Sequence, residues 1–287
     1  MRQFILDSFV SKKGGGNKAA VVIDDIGLTE KAMLEIARIN NYSETAFIDL
    51  NGSTDEEFLV RYFTPTEEVD ICGHAALASF TVLRKMNYFN AAAVYHRTKA
   101  GKLRVQLNED QILIEMKKPE VIKRITYAEI AGMINLPAEE IVLHDDRICV
   151  ISTGLPDIIL EVNSLEALKR LAINREEMIS YCNGNNVLGM HVVSRETIEG
   201  EANFCCRNFA PAVGIDEESA TGTSNASMLY YMHINGEAEL NRAYMVEQGY
   251  FMNSPSNIFV KAEKEKDDIV LFVGGKASII DEMDLKV

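Results

Sequence analysis

Two segments of similar character recur in this chain, about half its length apart. Cys72-Gly73-His74-Ala75-Ala76-Leu77-Ala78 and Thr221-Gly222-Thr223-Ser224-Asn225-Ala226-Ser227 begin 149 positions apart in a sequence of 287 residues. Each has glycine second, then small residues and then bulky ones, a pattern that predicts a helix beginning at the glycine. We therefore predict two related halves, each with a central helix whose first turn is open to a ligand. Chance similarity between two amphipathic helices is the alternative.

Length and local patterns agree with two domains of mixed secondary structure. A chain of 287 residues is near the size at which one core tends to divide into two. Strand-like and helix-like patterns alternate throughout, and many connections are hairpin-short, which favours antiparallel or mixed sheets. We predict an N-terminal domain of residues 1–118 plus about 278–287 and a C-terminal domain of residues 119–277.

The sequence also predicts local structure for residues 117–151, in the middle of the chain. Lys117-Lys118-Pro119 breaks the strand pattern, and Lys117, Lys118, Lys123 and Arg124 are predicted to form a solvated linker face. A helix is predicted over 126–134 and a strand over 141–151.

Charge and cysteine content narrow the class of protein. The formal net charge of −14 disfavours nucleic acid and anionic lipid as partners and favours a small-molecule ligand. Five cysteines, without CxxC pairs, predict reduced thiols and a cytoplasmic protein rather than a disulfide framework. Neither a signal peptide nor a membrane span is expected from the apolar runs.

Six strings resemble the phenazine-biosynthesis PhzF-like family, in family order along nearly the whole chain. They are Ser43-Glu44-Thr45-Ala46-Phe47, Phe63-Thr64-Pro65-Thr66, Asp70-Ile71-Cys72-Gly73-His74-Ala75, Arg207-Asn208-Phe209-Ala210-Pro211, Gly214-Ile215-Asp216-Glu217-Glu218-Ser219-Ala220-Thr221-Gly222 and Glu247-Gln248-Gly249. The resemblance implies a mixed α/β (α+β) fold of the diaminopimelate-epimerase-like type. In such a fold, two pseudo-symmetric domains each wrap a mixed β-sheet around a central helix. The resemblance also implies a homodimer, an active site in the cleft between the domains, and chemistry without cofactor or metal.

The resemblance also bears on the catalytic group. Racemases and epimerases of that superfamily use two cysteines as acid and base, one at each helix end. This chain has Cys72 at the first position but Thr221 at the second, and a hydroxyl is far too weak an acid for that role. The resemblance instead implies that Glu44 transfers the proton, with a pKa raised by desolvation.

The other site residues are also carried over from the resemblance. It implies that Ser43, Cys72, Gly73, His74, Glu218, Thr221, Gly222 and Thr223 bind substrate. Glu218 and Thr223 stand where the family usually has aspartate and serine, and Ser219 replaces the usual proline, so the substrate stays open. The leading hypothesis is a cofactor-independent isomerase acting on a small carboxylated metabolite. An amino-acid epimerase and a catalytically silent small-molecule-binding protein on the same scaffold are the alternatives.

Overall fold

The computed structural model describes residues 1–108, 111–145 and 147–285, and the chain divides into two compact units. Unit 1 comprises Met1–Glu115 and the residues from Gly274 onward, and unit 2 comprises Met116–Val273. The elements of unit 1 are β1 (Arg2–Ser8), β2 (Asn17–Asp24), α1 (Glu30–Asn40), β3 (Glu44–Asp49), β4 (Glu57–Phe63), β5 (Glu68–Val69), α2 (Gly73–Lys85), β6 (Ala93–Thr98), β7 (Gly101–Leu107), β8 (Ile112–Glu115) and β19 (Ala277–Asp284).

Unit 2 contains most of the remaining elements. They are β9 (Glu120–Ile125), α3 (Tyr127–Ile130), β10 (Ile141–Val142), β11 (Ile148–Ser152), β12 (Pro156–Val162), α4 (Leu165–Arg170), α5 (Arg175–Asn185), β13 (Gly189–Ser194), β14 (Phe204–Ala210), β15 (Ile215–Glu218), α6 (Gly222–Ile234), β16 (Ala243–Gln248), β17 (Ser256–Glu265) and β18 (Asp268–Gly275). The last two residues of β18 belong to unit 1.

The two units repeat one sheet topology. In unit 1, β1 pairs with β2 antiparallel, β2 with β3 parallel, and β3 with β4 antiparallel; β4 then pairs antiparallel with β5 and parallel with β6, which pairs antiparallel with β7. In unit 2 the same orientations recur in the same order from β11 through β12, β13, β14, β15 and β16 to β17. The sheets are mixed, as the short connections predict.

Each unit has a central helix, and the two helices match position by position. Both α2 and α6 are 13 residues long, and their ten buried positions coincide when the numbering is offset by 149. Helix α2 packs on β1, β2, β3 and β8, and α6 packs on β11, β12, β13 and β17. A helix buried on so much of its circumference is stabilised mainly by apolar contacts, at about 1.5–3 kcal/mol for each fully buried large side chain. The mixed α/β fold class with central helices is confirmed.

Local sequence signals set the ends of the more exposed helices. The side chains of Thr29, Ser164 and Asn174 accept hydrogen bonds from the first turns of α1, α4 and α5. Asn41 and Asn186 end α1 and α5 in the left-handed conformation, which asparagine tolerates better than most residues. Their side chains and backbones therefore satisfy groups that each helix end would leave unpaired.

Three local predictions for the middle of the chain are wrong. Residues 120–125 form strand β9, paired antiparallel with β11, where the basic cluster predicted a linker. Exposed and less exposed residues alternate along β9 because one strand face meets solvent, and Arg124 lies on that exposed face while Lys123 lies on the other. Helix α3 ends at Ile130 instead of continuing to residue 134. The strand predicted over 141–151 is divided into β10 and β11 by a turn in which Asp145 has a φ of 52°.

No helix within the described ranges is both long enough and apolar enough to cross a bilayer.

Candidate active site

In unit 1, the side chains of Glu44, Cys72 and His74 form one cluster. A distance of 3.2 Å separates His74 Nε2 from Glu44 Oε2, and Cys72 Sγ lies 3.2 Å from His74 Nδ1. Ser43 Oγ lies 3.5 Å from His74 Nε2. The imidazole therefore stands between a thiol and a carboxylate that are 28 positions apart in sequence.

The fold brings these residues together through two elements. Glu44 is the first residue of β3, where it pairs with Ala19 of the parallel neighbour β2. Cys72 precedes α2, and Gly73 and His74 are the first two residues of that helix. Because α2 packs on both β2 and β3, the start of the helix meets the start of the strand. Ser8, at the end of β1, donates its hydroxyl to the His74 carbonyl at 2.7 Å and so holds the first helical turn.

The carboxylate of Glu44 is largely removed from solvent. Its side chain is 19% exposed, but Oε2 is buried, and its 3.2 Å contact with His74 Nε2 lacks the geometry of a hydrogen bond. Desolvation raises the pKa of Glu44 above 4.5, although hydrogen bonds with Cys72 and Ser43 oppose this shift. A raised pKa brings the carboxyl group closer to the neutral range, where it can both accept and return a proton.

The first turn of α2 lacks a capping side chain. Within the described part of the chain, Cys72 adopts the extended N-cap conformation but makes no side-chain capping hydrogen bond. The first amides of a helix have no partner within the helix, and its dipole favours negative charge there. A carboxylate ligand beside Gly73 and His74 would satisfy these amides.

In unit 2, the predicted residues form a hydrogen-bonded group around the start of α6. Thr221 donates its hydroxyl to Glu218 Oε2 at 2.7 Å. Gln248 donates to the Glu218 carbonyl at 2.8 Å and to Thr221 Oγ1 at 3.1 Å, while its own Oε1 accepts from Thr221 N and Asn225. Gly222 and Thr223 follow as buried residues of the first turn. The Thr221 hydroxyl is thus engaged with a carboxylate and positions it.

The glycine after Gln248 is required by close backbone contact. Gly249 has a φ of +76°, and a Cβ there would lie 2.2 Å from the Ser254 carbonyl oxygen and 2.6 Å from that of Ser219. Only glycine tolerates both the conformation and the contacts. Gly249 therefore fixes the segment that leads from Glu218 into α6.

Sequence reasoning missed the functional arrangement of Gln248 and the buried carboxyl of Asp157. The string Glu247-Gln248-Gly249 carried part of the resemblance, but the bonds of Gln248 to Thr221 and Glu218 have no local signal. Asp157 is 1% exposed and accepts a hydrogen bond from Ser224 on α6. Burial raises the pKa of Asp157 to about 7, and the nearby charge of Glu218 adds to this rise. An aspartate after proline at the start of a strand gives no sign of such burial.

The structure thus collects the predicted residues into two groups. Within unit 1, Ser43, Glu44 and Cys72 surround His74, with Gly73 in the intervening backbone. The second group, within unit 2, contains Glu218, Thr221, Gly222 and Thr223. Their catalytic and binding roles stay predictions.

Comparison with a solved structure identifies the fold of the chain. A crystal structure titled as a probable proline racemase from Agrobacterium radiobacter covers 100% of this chain and 93% of its own with a TM-score of 0.68, at 10% sequence identity. That likeness shows the fold alone. The chain therefore shares the mixed α/β fold of that protein.

The family follows from closer similarities. The chain belongs to the PhzC-PhzF family, described as phenazine biosynthesis-like protein, whose model matches residues 6–282. A PhzF-family crystal structure from Bacillus anthracis is 26% identical, with a TM-score of 0.84, and covers 100% of this chain and 99% of that one. A curated relative from Clostridium acetobutylicum, named an uncharacterized isomerase, is 30% identical over 98% of this chain and 96% of its own length. The predicted family is confirmed.

Proposed function

We propose that this protein is a cofactor-independent isomerase in which Glu44 moves a proton on a small carboxylated metabolite. Membership of the PhzC-PhzF family and similarity to a relative named an isomerase support the class of reaction. The observation that carries the mechanism is the Glu44 carboxylate, whose buried Oε2 lies 3.2 Å from His74 Nε2 beside an uncapped helix start.

In the proposed mechanism, the substrate carboxylate binds the first amides of α2. The Gly73 amide and the His74 imidazole hold the substrate, so that a carbon-bound hydrogen faces Glu44. The carboxylate accepts this proton and returns it to another carbon on the same face. Burial supplies the necessary basicity because it raises the Glu44 pKa. The residues around Glu218 are proposed to bind the remainder of the substrate, in the cleft that the family resemblance implies.

The contacts of Thr221 disfavour the epimerase alternative. A two-base racemase needs a second group that can lose its proton to, or take one from, the substrate carbon. Thr221 occupies that sequence position, and its hydroxyl donates to Glu218 at 2.7 Å. We therefore propose a single catalytic carboxyl group rather than an opposed pair of thiols.

The proposal is tested with Glu44→Gln, which keeps the size of the side chain but removes its basicity. Candidate metabolites are first selected by thermal shift with the wild-type protein, and each hit is then followed by NMR in deuterated water. Wild type should incorporate deuterium at carbon. Glu44→Gln should bind the same metabolite but exchange about 10²–10⁴-fold more slowly, the usual contribution of a positioned general base.

The matched control is Glu67→Gln, which makes the same change at an exposed position of unit 1. Its exchange rate should equal that of wild type. If Glu44→Gln exchanges deuterium into the true substrate at the wild-type rate, the assignment of Glu44 as the catalytic base is refuted. Binding without any exchange in the wild type would instead support the silent binding protein.

A further inference from the structure

We propose that Glu44, Cys72 and His74 form a binding site for one Zn²⁺ ion and that zinc bound there inhibits the protein. The inhibitory part rests on the function proposed above, because it requires Glu44 to be the proton-transferring group. The binding part depends only on the geometry of the three side chains. The two parts can therefore fail separately.

The donor atoms are those that zinc prefers. One sulfur, one imidazole nitrogen and one carboxylate oxygen all lie within 4.8 Å of one another. Zinc commonly binds this mixture of ligands, whereas magnesium and calcium require oxygen-rich sites. The chemistry of the cluster thus favours zinc over magnesium and calcium.

The distances are close to those of a tetrahedral zinc site. With Zn–N and Zn–O near 2.1 Å and Zn–S near 2.3 Å, a tetrahedron separates N from O by about 3.4 Å and S from N by about 3.6 Å. In the structure, His74 Nε2 lies 3.2 Å from Glu44 Oε2 and 3.9 Å from Cys72 Sγ. Cys72 Sγ lies nearer to Nδ1, at 3.2 Å, so the imidazole must also turn for Nε2 and the sulfur to face one ion.

The surroundings of the cluster also fit a metal site. His74 is 5% exposed, and Ser8 fixes the His74 backbone by donating its hydroxyl to the His74 carbonyl. Such contacts beyond the ligands orient a metal-binding imidazole. Glu44 Oε2 is buried and makes no hydrogen bond within the described residues, so an ion would satisfy it.

Zinc in this position would occupy the oxygen that is proposed to take the substrate proton. Three protein ligands leave a fourth position for water or for a substrate carboxylate. The ion would therefore hold the substrate beside a carboxylate that can no longer act as a base. Bound zinc should stop proton transfer rather than support it.

Binding is tested directly with the metal alone. The full-length protein is stripped with a chelator and titrated with Zn²⁺ against a chromophoric competitor, and separately with Co²⁺ to observe a thiolate-to-cobalt charge-transfer band. We expect one zinc per chain. Affinity should fall by more than about 100-fold in Cys72→Ser and in His74→Gln, since even the loss of outer contacts commonly costs 10- to 100-fold. The cobalt band should vanish in Cys72→Ser. In Glu44→Gln the band should persist, although this variant should bind Co²⁺ more weakly than wild type.

Two control variants separate this site from other zinc ligands. His144→Gln removes a second histidine–carboxylate contact, at 3.2 Å from Glu161, and Cys149→Ser removes a buried thiol elsewhere. Both should bind zinc like wild type. Circular dichroism checks that each variant is folded. No stoichiometric zinc in the wild type, or unchanged affinity in folded Cys72→Ser and His74→Gln, overturns the site.

Inhibition is measured on the deuterium exchange of a confirmed substrate. Zinc should suppress exchange, and a chelator should restore it to the rate of the metal-free protein. Loss of exchange on chelation, with recovery on adding zinc, would overturn the inhibitory role while leaving the site itself intact. Failure of exchange in metal-free wild type on every bound metabolite counts against the proposed function and leaves the direct binding result unaffected.

Discussion

Replacing Asp157 by Asn should change how stability depends on pH, because this carboxyl group is buried within unit 2. The pKa of Asp157 is raised from 3.8 to about 7, mainly by burial; the charge of Glu218 contributes to this rise, and hydrogen bonds from Ser224 and the Gly189 backbone oppose it. The folded state therefore binds this proton more tightly than the unfolded state. The stabilisation is complete below about pH 4 and is lost as the pH rises through 7.

The size of the effect follows from the two pKa values. A difference of about 3 pKa units, at 1.36 kcal/mol per unit, corresponds to about 4 kcal/mol in the free energy of unfolding. About 3 kcal/mol of this should be lost between pH 5 and pH 8. Asp157→Asn stays neutral throughout, so the free energy of unfolding of wild type minus that of the variant should fall by about 3 kcal/mol over the same range.

Urea unfolding followed by circular dichroism at a series of pH values measures this difference. Taking the difference removes titrations that wild type and variant share. The control is Asp267→Asn, which makes the same substitution at an exposed position of unit 2. The reasoning is refuted if the free energy of unfolding of wild type minus that of Asp157→Asn is the same at pH 5 and pH 8.

Two further substitutions test other parts of the site. Cys72→Ser should retain most of the deuterium exchange measured by NMR, because Glu44 carries the proton in the proposed mechanism; a loss as complete as that of Glu44→Gln would contradict this. Thr153→Val should lower the free energy of unfolding by about 1–3 kcal/mol in urea titration, because Thr153 Oγ1 donates at 2.9 Å to the buried Thr223 carbonyl. Unchanged stability would show that this carbonyl finds another donor.

The predictability of the fold differs between elements for physical reasons. Strand β4, Glu57–Phe63, follows a pattern that sequence can reveal, because buried side chains alternate with partly exposed ones along it. Strand β9 was missed because the adjacent basic residues Lys123 and Arg124, which lie on opposite faces of the strand, suggest a linker unless the partner strand is known. The turn around Asp145 depends on a left-handed backbone that no glycine marks.

The site could be predicted only in part, because its geometry depends on distant contacts. Composition and spacing give no reason to join Glu44 to His74, and the family resemblance supplied that pairing. The distance of 3.2 Å between them arises because β3 lies beside β2 under the same helix. Asp157 and Gln248 gain their surroundings in the same way, from strands and a helix far away in sequence. The predicted domain boundaries, homodimer and cytoplasmic location stay predictions.

Because the two units share one topology, a residue in one unit can be compared with the residue at the matching position of the other. Ser8 and Thr153 each donate a hydroxyl to the carbonyl of the second residue of a central helix, at His74 and Thr223. Beside these shared bonds, Ala75 in unit 1 has the polar counterpart Ser224 in unit 2. Exchanging the residues of such a pair tests whether the shared fold accepts either residue or whether each unit needs its own residue at that position. Ser8→Thr and Thr153→Ser test the shared architecture, whereas Ala75→Ser and Ser224→Ala test what a hydroxyl that donates to the buried Asp157 contributes to the first turn of α6.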